Sequence, residues 1–139
     1  MIILIICLIQ ISISDISSTL IPNKILIIIV IVGFMFLFIM KKNVLLHMGI
    51  SVLFIGFFII INLVKTHSFG YGDIKLVGGL SLFLNLTDNI YSIFISLVLA
   101  LEYIVIFKLK KKERFSFGPF IALGYLPFII KEIFSLDFY

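Results

Sequence analysis

Residues 70 to 76 read Gly-Tyr-Gly-Asp-Ile-Lys-Leu and place an acid and a base beside two glycines in a strongly apolar chain. In lipid, an irregular backbone leaves N–H and C=O groups unpaired at a large cost in free energy, so such a segment is expected to line a polar cavity. A carboxylate in that cavity, here Asp73, is a candidate catalytic group. The chemistry open to Asp73 depends on whether the chain brings it a second acid.

The second acid is Asp15, which lies in the first apolar run of the chain. A helix over residues 1–21 rises about 1.5 Å per residue and spans roughly 31 Å, the thickness of one bilayer core. Pro22 cannot continue a helix, so the pattern predicts that Asp15 lies roughly 10 Å, about two turns, inside the helix end.

Two carboxylates in a poorly solvated cavity do not easily ionise together, because desolvation and like charge both favour the neutral form. They therefore tend to share one proton. One carboxylate then acts as a general base on water, while the other protonates or hydrogen-bonds a substrate carbonyl. This is the chemistry of aspartyl peptide hydrolysis, which requires no metal, no cofactor and no Ser or Cys nucleophile. The two histidines and the single cysteine of the chain form no metal-binding pattern.

Of the 139 residues, 63% are hydrophobic and 13% are charged, a composition that indicates an integral membrane protein with a single domain over residues 1–139. The formal net charge of +4 does not indicate a nucleic-acid partner, because the basic residues lie between apolar runs rather than along one face. We interpret the positive charge as a topology signal.

The apolar runs predict an all-α, polytopic membrane helical bundle with six transmembrane helices. The fourth run is short, roughly 20 Å as a helix, and crosses the membrane only if Asp73 already starts inside it. Residues 85–89 are polar and predict a turn. The six predicted helices are residues 1–21, 24–40, 44–64, 74–86, 90–107 and 118–134.

The charges between these helices predict the orientation of the chain. By the positive-inside rule, the side with more Lys and Arg is cytoplasmic, so both chain ends are expected outside. The same topology brings the span ends that carry Asp15 and Asp73 to the cytoplasmic side. Eight cations lie on that side, Lys24, Lys65, Lys75, Lys108, Lys110, Lys111, Lys112 and Arg114, and three lie on the other, Lys41, Lys42 and Lys131.

Three segments resemble the motifs of the type IV prepilin peptidases, in the same order. Residues 15–23 resemble their first motif, in which an Asp is followed seven residues later by the Pro of Ile-Pro-Asn. Residues 70–76 resemble their Gly-x-Gly-Asp-x-Lys-Leu motif. Residues 117–124, Phe-Gly-Pro-Phe-Ile-Ala-Leu-Gly, resemble their C-terminal Phe-Gly-Pro-Phe segment.

The resemblance implies a multi-pass aspartyl endopeptidase of the cytoplasmic membrane, with its active site facing the cytoplasm. Asp15 and Asp73 would be the catalytic pair. The substrate would be a single-span type IV prepilin or pseudopilin precursor, whose basic leader is cut off at the cytoplasmic membrane boundary. Larger members carry an N-terminal segment with cysteine pairs and also N-methylate the new terminus. This chain starts at the first catalytic span, so we expect it to lack methyl transfer.

Six further residues are candidates for substrate binding or support. Gly70 and Gly72 form a turn and are expected to let an extended substrate backbone approach closely. Pro22 and Asn23 are expected to end the first helix and position Asp15. Lys75 lies about 200° around a helix from Asp73, so it is expected to contact a lipid phosphate or another acid instead.

Glu102 is a third intramembrane acid, and two interpretations of it stay open. In the first, it forms an ion pair with Lys75 or with a residue of the basic loop 108–114. In the second, it influences the ionisation of the acid pair or contacts the basic leader of the substrate. The loop itself is expected to contact anionic membrane lipids.

Two other functions are consistent with the same residues. One is a peptidase with a different precursor, as in preflagellin peptidases or other Gly-x-Gly-Asp proteases. The other is a non-enzymatic carrier or assembly factor, in which the two acids bind protons or cations.

Overall fold

The computed structural model describes residues 2–18, 21–64, 69–107 and 117–134 of the chain. These residues form six helices and no strand, which confirms the prediction of an all-α fold. The helices, numbered in chain order, are α1 (Ile2–Ser18), α2 (Asn23–Ile39), α3 (Val44–Val64), α4 (Tyr71–Ser81), α5 (Leu86–Phe107) and α6 (Gly118–Phe134).

The predicted bounds of α3 and α6 agree with the structure, but those of α1 do not. Ser18 is the last helical residue of α1 that the structure describes, and Ile21 is not helical. A residue that precedes proline is disfavoured in the helical conformation, which accounts for the non-helical Ile21. Asp15 lies in the last described turn of α1, and its predicted depth of about two turns stays a prediction, because residues 19–20 lie outside the described part of the chain.

The start of α4 also differs from the prediction, which placed it at residue 74. The helix begins at Tyr71, and Gly70 is its N-cap residue with an extended backbone (φ −66°, ψ 142°). Asp73 falls in the first turn, where a negative charge is favoured by the helix dipole. The second half of the glycine-rich segment is thus regular helix rather than an irregular loop.

The turn predicted at residues 85–89 is wrong, because α5 already begins at Leu86. The side-chain amide of Asn89, which is fully buried, explains the difference. It donates hydrogen bonds to the backbone carbonyls of Ser81, Leu84 and Asn85, at 3.3, 3.0 and 3.1 Å. Carbonyls at the end of a buried helix need such partners, so α4 ends where Asn89 can reach them.

The short helix α4 lies at the centre and packs against α2, α3 and α6. All of its residues from Leu76 to Ser81 are buried. Two of them, Gly78 and Gly79, let neighbouring helices approach its backbone, and Ser51 of α3 donates a hydrogen bond to the carbonyl of Gly78 at 2.6 Å. Around this centre, α1 packs against α2 and α6, and α6 packs against α5.

Two helices are long and apolar enough to cross a membrane, judged by length and composition alone: Val44–Val64 and Leu86–Ile106. The helices α1, α2 and α6 have 17 residues each, the lower end of the usual range for a membrane span. The 11 residues of α4 are too few to span a bilayer core. Six membrane crossings therefore stay a prediction.

Candidate active site

Asp15 is buried near the end of α1, with only 4% of its surface exposed. Its Oδ2 accepts a hydrogen bond from the backbone N–H of Gly118, at 2.8 Å. Gly118 is the first residue of α6, and the preceding Phe117 accepts the first backbone hydrogen bonds of that helix. The two residues are 103 positions apart in sequence, so only the folded bundle brings them together.

The start of α6 explains why a carboxylate belongs there. The first backbone N–H groups of a helix have no partner within the helix, and a Phe side chain at the N-cap position has no oxygen to offer them. Asp15 supplies that oxygen from another helix. The positive end of α6 also stabilises the Asp15 carboxylate, which the negative end of its own helix disfavours.

Asp73 lies beside the start of its own helix. It is the third residue of α4, and its Oδ2 lies against Gly70, the N-cap residue. An acid at this position faces the N-cap residue, as in a capping box. Asp73 is partly exposed, unlike Asp15.

The structure brings the two acids together, as the sequence predicted. The two carboxyl groups lie near enough for their like charges to interact. Asp15 lies at the start of α6, and Asp73 lies in the first turn of α4. Both acids therefore lie at the positive end of a helix.

A glycine lies against each carboxyl group. A Cβ atom added to Gly70 would lie 3.0 Å from Oδ2 of Asp73, and one added to Gly118 would overlap the carboxyl group of Asp15. Both glycines therefore let a backbone N–H approach an acid more closely than any other residue would allow. From the sequence, Gly70 was expected to admit a substrate backbone, and the segment that contains Gly118 was expected to serve packing.

Asn62 fixes the segment that leads into the site. Its side-chain Nδ2 donates to the carbonyl of Phe69, and its Oδ1 accepts from the N–H of Phe69, both at 2.9 Å. The Phe69 ring packs against the rings of Phe58 and Phe117, with centroids 5.0 and 5.5 Å away. Phe69 precedes the N-cap of α4, and Phe117 precedes Gly118, so one aromatic contact links the two helix starts that hold the acids.

Sequence reasoning gave Asn62 no part in the chemistry. The sequence carried a weak signal for its role: an amide side chain on an apolar helix can form hydrogen bonds with both the N–H and the C=O of one residue. The partner, Phe69, could not be identified without the fold.

Gly72 is placed differently from the prediction. A Cβ atom on Gly72 would lie 3.2 Å from Cβ of Ile21, so this glycine packs against the chain that follows α1. Gly72 is therefore only partly exposed, whereas Gly70 is exposed.

Pro22, Asn23 and Lys75 lie together on the other side of α4. Pro22 is the N-cap residue of α2, and its carbonyl accepts from the N–H of Ile25 at 3.1 Å. The Nζ atom of Lys75 lies 3.5 Å from Oδ1 of Asn23. Lys75 thus contacts the first motif rather than Asp73, in keeping with its predicted direction.

Glu102 lies on the exposed surface of α5, which packs mainly against α6. The basic loop 108–114 lies outside the described residues, so the expected pairing of Glu102 with that loop stays a prediction. Among the described residues, no group of three or more His, Cys, Asp or Glu side chains is arranged to hold a metal ion.

A family model described as the type IV leader peptidase family matches residues 2–105. The matched region contains both acids and the segment 70–76, and it ends before α6. No curated protein and no solved structure matches the chain significantly.

Proposed function

Because this chain belongs to the type IV leader peptidase family, we propose that it is an aspartyl endopeptidase of the cytoplasmic membrane. It removes the basic leader from a single-span type IV prepilin or pseudopilin precursor. Asp15 and Asp73 are the catalytic pair.

The observation that carries this proposal is the meeting of Asp15 and Asp73 at the starts of α4 and α6. Asp15 is fixed by a backbone N–H group, which does not turn away as a side chain can, and Asp73 lies against the N-cap residue of its own helix. A positioned acid and base contribute to proton transfer only when their geometry is held in this way. Asp73, which is partly exposed, is the member of the pair that a substrate and a water molecule reach more easily.

In the proposed reaction, the two carboxyl groups hold one proton between them. The ionised carboxylate takes a proton from water as the water oxygen bonds to the scissile carbonyl carbon. The protonated carboxyl group gives its proton to the carbonyl oxygen, which yields a tetrahedral diol. Collapse of the diol breaks the C–N bond, and a proton passes to the leaving amine. The pair ends with one proton, as it began.

The surface supports a place in the membrane with several crossings. Large apolar side chains are exposed along the helices, as in Leu45 (81%), Val64 (84%) and Ile106 (71%). Water-soluble proteins seldom expose contiguous apolar surface on this scale, whereas lipid-facing helices require it. With the excess of cations on one side, we place the acid pair near the cytoplasmic surface.

The precursor must present extended backbone at the acid pair, because a helical peptide keeps its carbonyls within its own hydrogen bonds. We place this strand beside Gly70 and Tyr71, which are exposed next to Asp73. The leader remains on the cytoplasmic side, and the hydrophobic helix of the precursor lies beside the enzyme in the bilayer.

Co-expression with tagged precursors tests the proposal. Prepilin, pseudopilin and preflagellin precursors are each expressed with the wild type, Asp15→Asn or Asp73→Asn, and the loss of the leader is followed by the change in precursor mass. We expect cleavage of a prepilin or pseudopilin by the wild type alone. The matched control is Asp88→Asn, an acid paired with Lys131 on the surface, which should cleave like the wild type. Equal cleavage by both active-pair variants would refute the catalytic assignment.

A further inference from the structure

A groove of about 610 Å³ lies between α2 and α3, with α4 as its floor. Its walls are apolar, and they include Ile27 and Ile31 of α2 and Met48 and Val52 of α3, all exposed. The volume is within the roughly 300–1,000 Å³ of typical ligand sites.

The floor of the groove is one face of α4. Lys75, Gly78, Gly79 and Leu82 line it, and their i, i+3, i+4 and i+7 spacing places them on one side of a helix. Asp73 is about 200° around the helix from Lys75, so the groove opens on the opposite side of α4 from the acid pair. It is therefore separate from the proposed catalytic site.

One end of the groove is polar and positively charged. Lys75 is exposed there, with its Nζ atom 3.5 Å from Oδ1 of Asn23. The hydroxyl of Ser51 is already used in its hydrogen bond to the carbonyl of Gly78. The groove thus combines a long apolar channel with one cation and one amide at its mouth.

We propose that this groove binds an anionic phospholipid of the membrane. An acyl chain lies along the apolar walls, and the phosphate accepts from Nζ of Lys75 and from the side-chain amide of Asn23. The proposal rests on the membrane location argued above, but not on the peptidase reaction.

Charge favours a lipid over the precursor as the occupant. The leader of the proposed precursor is basic, so Lys75 would repel it, whereas the phosphate of a lipid is anionic. The apolar walls of the groove suit an acyl chain, which is apolar along its whole length.

Native mass spectrometry of the full chain released from detergent tests the charged end. The protein is incubated with phosphatidylglycerol and phosphatidylcholine that carry identical acyl chains. We expect the anionic lipid to be retained about fivefold better, because one basic residue at a membrane surface contributes about that factor. Lys75→Gln should abolish the preference. Lys24→Gln removes an equal charge from an exposed neighbour outside the groove and should keep it.

A second pair of variants tests the apolar channel. Val52→Phe fills the groove from an exposed position, and it should reduce the retention of both lipids. Leu53→Phe, which is exposed but outside the groove, should not. Unchanged lipid retention in both Lys75→Gln and Val52→Phe would overturn the proposal. A Val52→Phe variant that retains lipid but no longer binds precursor would also overturn the proposal, because the groove would then bind the substrate.

Discussion

Asp73 lies beside the start of its own helix, whereas Asp15 is bound by a helix that begins 103 residues further along the chain. Asp73 lies in the first turn of α4, with its Oδ2 against the N-cap residue Gly70, and remains partly exposed. Asp15 lies in the last described turn of α1, is almost fully buried and accepts from the start of α6.

The two acids are therefore positioned in different ways. A short motif is enough to position Asp73, because a glycine and an acid three residues apart come into contact within one helix turn. Asp15 is positioned only when α1 and α6 are packed against each other. We therefore expect perturbations of the bundle to act on Asp15 first.

The largest effect is expected from removing either acid. Asp15→Asn and Asp73→Asn should each lower kcat/KM for leader cleavage by about 100- to 10,000-fold, because each removes one partner of proton transfer. The measurement is cleavage of purified precursor by purified enzyme. The double variant should be little worse than either single variant, since the acids act as one unit. Multiplied losses would show that they act independently.

The next largest effect is expected from replacing Gly118 or Gly70 by alanine, and the loss of cleavage should be larger for Gly118. Gly118→Ala inserts a methyl group into the space of the buried Asp15 carboxyl group, which cannot retreat. We expect cleavage to fall roughly 10- to 100-fold, from a cost of about 1–3 kcal/mol for overpacking. Gly70→Ala adds its methyl group 3.0 Å from the exposed side of Asp73, which can shift, so its loss should stay below about tenfold.

Thermal unfolding of both glycine variants serves as the control. Gly118→Ala should also lower the midpoint of unfolding, because it disturbs the contact of α1 with α6, while Gly70→Ala should leave it nearly unchanged. A Gly70→Ala variant that loses more activity than Gly118→Ala would contradict the distinction between the two acids.

Asn62 links the two regions, so its loss should affect both. Asn62→Ala leaves the N–H and the carbonyl of Phe69 without their partners, and each lost hydrogen bond contributes about 0.5–1.5 kcal/mol. We expect cleavage to fall roughly tenfold through kcat, with KM little changed, because Asn62 acts through the starts of α4 and α6. Asn85→Ala, at an exposed amide between α4 and α5, is the control and should have no effect on either constant. A change in KM alone would show that Asn62 contacts the substrate.

The smallest effect is expected far from both acids, at the ion pair of Lys131 with Asp88. Its nitrogen and oxygen are 3.3 Å apart, and the Lys131 side chain is 67% exposed. Exposed pairs contribute about 0–1 kcal/mol, so Lys131→Ala should leave both cleavage and the unfolding midpoint nearly unchanged. A measurable loss of cleavage would show that α5 and α6 influence the acid pair from their far ends.

The sequence was sufficient where the signals were local. The bounds of α3 and α6 followed from the polar residues and the Gly-Pro pair that flank them, and the two acids were found from their motifs. The end of α4 was misplaced because Asn89 binds its carbonyl groups from the next helix. The partners of Asp15 and Asn62 required the packed bundle, which no spacing in the sequence encodes.

The bond between Asp15 and Gly118 also sets an order of events during synthesis. At about 5–20 residues per second, Gly118 leaves the ribosome roughly 5–20 s after Asp15. From the time Asp73 is made until Gly118 is made, the nascent chain carries both acids without the donor that binds the first of them. We therefore expect the proposed enzyme to become competent only when α6, the last of the described helices to be made, has joined the others.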